Sequence, residues 1–281
     1  MKPRFAIATR DELWLRGRLI ERRLSHGEAF EDEHGIVATD ARDDLLVAAC
    51  DAAMEELRRC VIPDLRMRLV AEARLDGITS TITASQGVHS VVTDRVHLDA
   101  DVALLRDAAS ATPSLVLHEK DAADLPMLWR HGSAAVLLHE AAGHVAEHGR
   151  APLLPEWLTV ENPLALRRAS FRDVPLPRMT NLVARQHGAP FVVPETRIEV
   201  LLVDGGAYDP LTDLVTLRIS AADLVTADSA QRLAPFAFVR PRARLNFLGA
   251  AGEPIRYPGV ICSREGQELV VGSHAPLMVT A

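Results

Sequence analysis

Residues Ala134 to Leu138 read Ala-Ala-Val-Leu-Leu and run without a break into His139-Glu140-Ala141-Ala142-Gly143-His144. Ser133 can cap the start of a helix here, and that helix would be apolar on every face. A helix with no polar side has to be surrounded by other elements, so the rest of the chain must build a shell around this segment. Two histidines and a glutamate are carried into the interior with it. An ionised carboxylate left unpaired in such a place is costly or is driven to a higher pKa, so Glu140 needs a partner.

Two imidazoles beside a carboxylate are the parts of a hydrolytic zinc site, with nitrogens as ligands and the carboxylate as base for a water. The spacing is unusual. Histidines four apart on a helix are separated by about 40° and can share an ion, whereas His139 and His144 are five apart and would splay by about 140° on a regular helix. Sharing one ion requires a break or a wider turn before His144, which Gly143 would tolerate. The hexapeptide accommodates two readings: a core His-Glu pair satisfied internally, or two metal ligands with their base. A third protein ligand would have to come from elsewhere. Cys262 stands in what reads as a polar, Gly-flanked loop, Pro258 to Gln267, where it is either a free thiol or the ligand completing a His, His, Cys set with one position open.

The other patterns predict an α+β fold. Thr9 followed by Glu12 reads as a capping box opening a helix through Leu13, Leu19 and Leu24 to Gly27. A second helix is expected from about Asp43 to Cys60, where Leu45, Leu46, Ala49, Ala53 and Leu57 recur at helical spacing. Alternation on both sides of Asp76-Gly77 predicts a hairpin, with a further strand within Val88 to Leu98, a helix near Val102 to Ala109 and a short strand at Leu115 to His118. Beyond the buried helix come a Pro-rich connection and strand-like runs at Arg197 to Val203 and Leu214 to Ile219, separated by a turn at Asp204-Gly205-Gly206. The last forty residues alternate short β-like runs with Gly and Pro. The expected organisation is therefore an N-terminal α/β domain (1–124) of helices with a small antiparallel sheet. A C-terminal domain (125–281) would follow, with the buried helix and mostly antiparallel strands.

At 281 residues and 48% hydrophobic content the chain can bury a full core without staples. Thirty-one Lys and Arg against 38 Asp and Glu leave a formal charge of -7, which argues against nucleic acid or an anionic membrane as partner. No stretch reaches the roughly 18 apolar residues of a membrane span, and an odd count of three cysteines argues against a disulfide framework. A cytoplasmic protein is expected, with Cys50 and Cys60 as structural thiols.

Three separated blocks resemble, in order, the TldD/PmbA metallopeptidases: Val136 to His144, Leu176-Pro177-Arg178-Met179-Thr180-Asn181, and Gly259 through Gly272. The resemblance implies that His139, His144 and Cys262 bind Zn2+ and that Glu140 is the general base of a peptidase acting on unfolded or short peptides, as in precursor-peptide maturation or turnover. It further implies a dimer, either of this chain with itself or with a PmbA-like subunit. The chain is shorter than usual members, which admits an inactive peptide-binding or partner subunit as one alternative; metal chemistry alone does not choose the acyl group, which admits a zinc hydrolase of a non-peptide amide as another. Arg178 and Asn181 are candidates to bind substrate or to fix their loop, and His148, His187 and His274 are candidates to stabilise an oxyanion.

Overall fold

The computed structural model describes residues 3–32, 35–39, 44–74, 77–117, 125–162, 166–169, 175–176, 179, 181–188, 190–264 and 267–281. The chain opens with strands, not with the helix expected from Thr9 and Glu12: β1 (Pro3–Leu15), β2 (Arg18–Asp32) and β3 (Gly35–Thr39). Periodicity of two decides it. Ala8, Arg10 and Glu12 are buried and alternate with half-buried Thr9, Asp11 and Leu13, while Leu19 and Leu24, which a helix would have buried, are exposed. Arg16 and Gly17 take positive φ values of 49° and 69°, and two such residues make the turn whose twist suits a hairpin. Glu12 sits fully buried among the guanidinium groups of Arg10, Arg22 and Arg58, a partner set that only the folded sheet assembles.

Helix α1 (Asp44–Arg58) forms where expected and buries Leu46, Cys50, Met54 and Leu57 at helical spacing. Strands β4 (Arg66–Arg74) and β5 (Gly77–Gln86) form the predicted hairpin, with Arg74 opposite Gly77 and Asp76 outside the described residues. Strand β6 (His89–Thr93) and helix α2 (Leu98–Ser110) follow. The short strand expected after α2 is reduced, among the described residues, to one bridge from Leu115 to Leu233.

The second half contributes β7 (Met127–Trp129), helix α3 (His131–Leu138), β8 (Leu158–Glu161), β9 (Leu166–Ala169), β10 (Pro175–Leu176) and β11 (Asn181–Gln186). It closes with β12 (Arg197–Asp209), β13 (Leu214–Val225), β14 (Ala230–Arg232), β15 (Phe236–Pro241), β16 (Phe247–Arg264) and β17 (Gln267–Thr280). The short runs expected in the last forty residues are thus two long paired strands. Among the described residues, one sheet runs β10-β9-β3-β2-β1-β4-β5-β6, its β9–β10 end coming from the second half of the chain. The other runs β14-β13-β12-β7-β17-β11-β8, with β15 on β13 and β16 on β17. The fold is α+β.

Asp204-Gly205-Gly206 is not the turn between strands. Strand β12 passes through it, and its register with β13 jumps from Val203 opposite Ile219 to Gly206 opposite Leu217. One extra residue on β12 makes this a bulge, with Gly205 at φ 137°. The Asp204 carboxylate accepts hydrogen bonds from the Ser90 amide and hydroxyl and from the Ser220 hydroxyl, at 3.1, 3.2 and 2.8 Å, and so fastens β6 of the first sheet to the second.

One core packs around α3, where Ala134, Ala135, Leu137 and Leu138 are completely buried against the second sheet, as an all-apolar helix demands. Ser133 is not its cap. Arg130 takes that position, and the Ser133 hydroxyl lies 3.0 Å from the Arg130 carbonyl and 3.2 Å from that of Val200. The other core lies between α1, α2 and the first sheet, joined by Leu202 and Ala221 from the second. No helix among the described residues is long and apolar enough to cross a membrane.

Candidate metal centre

Directly after α3, His139–His144 forms a single π-helical turn, and Val145–Glu147 resumes the α form. The turn closes with bonds to the fifth residue on, so side chains five apart come round to the same side. That is the wider turn the spacing required. The two imidazole rings lie 4.4 Å apart, centre to centre, at 61°. Gly143 serves this turn by leaving space: a Cβ there would lie 3.1 Å from Leu182, 3.3 Å from His139 Nδ1 and 3.4 Å from Met179.

Cys262 belongs to strand β16, opposite Leu269 on β17, and is buried, whereas its sequence surroundings suggested a loop. Its Sγ is 3.4 Å from His144 Nε2. One donor atom from each of His139, His144 and Cys262 falls within 4.8 Å of the others. Glu140 is 2% exposed; its Oε2 has no hydrogen-bond partner and lies 3.7 Å from His144 Nε2.

Glu147 is the residue that the sequence reading missed. Its Oε2 is 2.8 Å from His144 Nδ1, and its Oε1 accepts the Met179 amide at 2.7 Å. A carboxylate on the far nitrogen of an imidazole fixes the ring's orientation and directs its other nitrogen inward. The available signal was a Glu three residues after His144, one helical turn on.

The site's charges are mutually dependent. Burial pushes Glu140 up to about 7, with the Glu147 charge adding to the rise and His144 opposing it. Burial would lower His144, but Cys262, Glu147 and Glu140 overcome it and hold the imidazole at about 10. Burial would raise Glu147, yet His144 and the Met179 amide bring it down to about 2. Without a metal, the surrounding acceptors thus favour a proton on His144.

This donor set fits zinc. Bond lengths of about 2.0–2.1 Å to nitrogen and 2.3 Å to sulfur place tetrahedral ligands about 3.4–3.6 Å apart, close to the 3.4 Å between Cys262 Sγ and His144 Nε2. The bare Glu140 oxygen adds a buried acceptor alongside.

Glu140, His144 and Cys262 open onto a cavity of about 610 Å3 between the sheets, walled opposite by Arg68, Ser90 and Val92 and roofed by the bulge of β12. Gly206 of that bulge lies so close that a Cβ would fall 2.7 Å from Glu140 Cγ. His148 and Tyr208 line the same cavity, their rings 5.9 Å apart. Of the other histidines singled out, His187 hydrogen-bonds Thr159 at 3.0 Å and His274 sits on β17 opposite Arg256; neither lines the cavity. Arg178 lies outside the described residues. Asn181 is described by its backbone, paired with Gly272 at the start of β11.

No protein-family model matches the sequence, and no curated protein does either. Among solved structures, TldE from Thermococcus kodakarensis covers 98% of this chain and 94% of its own, with 9% identity and a TM-score of 0.48. A protein described as a candidate modulator of DNA gyrase from Bacteroides thetaiotaomicron VPI-5482 covers 98% and 92%, with 10% identity and a TM-score of 0.46. Another described in the same way, from Thermotoga maritima MSB8, covers 98% and 94%, with 8% identity and a TM-score of 0.49. These chains are similar in their overall path, and nothing about activity, ligand or partner follows from a likeness this distant.

Proposed function

We propose that the chain is a zinc-dependent peptidase in which His139, His144 and Cys262 hold the metal and Glu140 is the base. The observation that carries this reading is the convergence of three zinc-type donors within 4.8 Å beside a buried carboxylate, on the wall of a cavity of about 610 Å3. The resemblance of the three sequence blocks to TldD/PmbA metallopeptidases supports it. Zinc, when bound, would supply a Lewis acid for a substrate carbonyl and make a water easier to deprotonate.

The chain's own groups account for the proton. Glu140, held near 7 by burial, can accept the water's proton at Oε2 and return it to the departing amine, since a base tuned near neutrality can do both. Glu147 keeps His144 turned toward Cys262, and the β12 bulge covers Glu140 from solvent. Unfolded or short peptides are the proposed substrates, with a homodimer or a PmbA-like second subunit as the proposed assembly.

The test is metal content and turnover together. Purified wild-type protein should carry about one zinc per chain, lost in His144→Ala and Cys262→Ala, and should cleave members of an unstructured peptide library. Glu140→Gln should keep the zinc and lose cleavage. Failure to take up zinc would leave a peptide-binding or partner-subunit role, and cleavage of small amides but not peptides would move the activity to another amide class.

A further inference from the structure

Beside the metal cavity lies a second one of about 370 Å3, bounded by α2, β6, β12 and the start of α3. The two share Ser90, Val92 and Val203 as wall residues, so they lie side by side along β6 and β12. Its lining mixes apolar side chains, Leu104, Val136 and Leu201 among them, with Ser90, Ser133, Arg130 and one carboxylate, Asp101.

Asp101 breaks the apolar repeat of α2, although an acid suits the first turn of a helix. The buried face of α2 is Leu98, Asp101, Val102, Leu105 and Ala108, so an acid occupies a position that the helical repeat reserves for an apolar side chain. It is 8% exposed. Thr93 supplies a hydrogen bond, while Oδ2 is buried with no hydrogen-bond partner. Among the described residues Asp101 makes no ion pair. The nearby imidazole of His97 is already bound to Asp94, with Nδ1 at 2.8 Å from Oδ1, and stacks on Tyr257. Arg130, at the rim, is paired with Glu199. Burying a lone carboxylate at a helix seam is expensive unless something compensates it, and a pocket that combines aliphatic walls with one buried acid is complementary to a hydrocarbon stem carrying a cation.

We propose that this cavity is a subsite for a primary ammonium group on an aliphatic stem, with Asp101 as its counter-charge. Resting on the peptidase reading above, the subsite would select peptides that place an amino group beside the metal cavity. The ammonium can be a lysine side chain or a chain N-terminus, and these two sources are separable.

The first experiment requires no catalysis. Binding of n-butylammonium and of 1-butanol to the purified full-length protein is compared by ligand-observed NMR, for wild type and Asp101→Asn. Wild type should favour the ammonium by about tenfold or more, the range expected of a buried charge-assisted hydrogen bond, and Asp101→Asn should abolish that preference. Equal binding of the two probes by wild type, or a preference that survives in Asp101→Asn, overturns the proposal. Leu104→Trp, which fills the cavity and leaves the carboxylate in place, should exclude both probes; melting curves show that each variant is folded, and undiminished binding to folded Leu104→Trp also overturns it. Peptides then identify the source: lysine against norleucine reports a side chain, and free against acetylated termini report an N-terminus. Ammonium selectivity without peptide cleavage would keep the subsite and remove the peptidase reading. Cleavage with no ammonium selectivity would do the reverse.

Discussion

Gly206→Ala tests the geometry of the site most directly. A Cβ at this position would lie 2.6 Å from Leu217 Cδ2, 2.7 Å from Glu140 Cγ and 2.8 Å from the Thr216 carbonyl oxygen. Carbon atoms in contact prefer about 3.5–4.0 Å, so the two carbon neighbours are each overlapped by about 1 Å. Leu217 can rotate part of the way. The Thr216 oxygen is strand backbone and Glu140 is locked in the π turn, so the relief has to come from moving the bulge or the carboxylate. Forcing a methyl into a packed interior destabilises by about 1–3 kcal/mol, and the middle of that range is expected from urea unfolding. A displacement of about 1 Å in a catalytic group lowers turnover by about a hundredfold. The mutant should therefore keep its zinc, lose about 2 kcal/mol of stability and lose most of its peptide cleavage. Gly143→Ala meets neighbours at 3.1 Å or more and gains about 1 kcal/mol of helix propensity, so its stability should change less. If Gly206→Ala unfolds within about 0.5 kcal/mol of wild type, the bulge does not press on Glu140 and the reasoning fails.

Three other outcomes follow from the same contacts. Glu147→Gln should weaken zinc binding by about 10–100-fold in a chelator competition, because the amide holds His144 less strongly; unchanged affinity would deny Glu147 its orienting role. Glu12→Gln should cost about 3 kcal/mol at neutral pH, since it strands guanidinium groups around a buried position. The folded pKa of Glu12 is lowered by Arg58 and Arg22 against the opposing effect of burial. Its stabilisation is therefore fully present above the unfolded value of about 4.3 and disappears as the pH falls through the lower folded value. Urea midpoints of wild type and Glu12→Gln should converge under acid; a gap independent of pH would show that Glu12 acts through packing alone.

The candidate-site residues were legible because their chemistry is local. His139, Glu140 and His144 lie within one turn of a segment whose apolarity forces burial, and the five-residue spacing called for a break or a wider turn there if both imidazoles were to share one ion; the wider turn is what forms. Cys262 was legible as a residue and not as a place: pairing with β17, more than any local signal, puts it on a strand. The N-terminal helix failed for a related reason. Thr9 and Glu12 satisfy a capping pattern, but Arg16-Gly17 supplies a hairpin turn inside that same window, and Arg58, from α1, supplies a buried partner for Glu12 that lies outside the window from residue 9 to 27. The glycines at Asp204-Gly205-Gly206 were read as a turn, the commonest use of such a triplet; the strand instead continues through them as a bulge that presses on Glu140.

The sequence alone determined which groups are available and that some must be buried: an all-apolar helix, two imidazoles with a carboxylate between them, and a thiol far along the chain. Only the tertiary structure decided which of them meet. Donor atoms 118 positions apart in sequence, His144 Nε2 and Cys262 Sγ, come together because β16 crosses the end of α3. The cavity they face exists because Asp204 ties β6 to the bulge of β12. Residue type and helical period act over a few residues, whereas ligand geometry and pocket shape depend on the strands that the whole chain brings alongside.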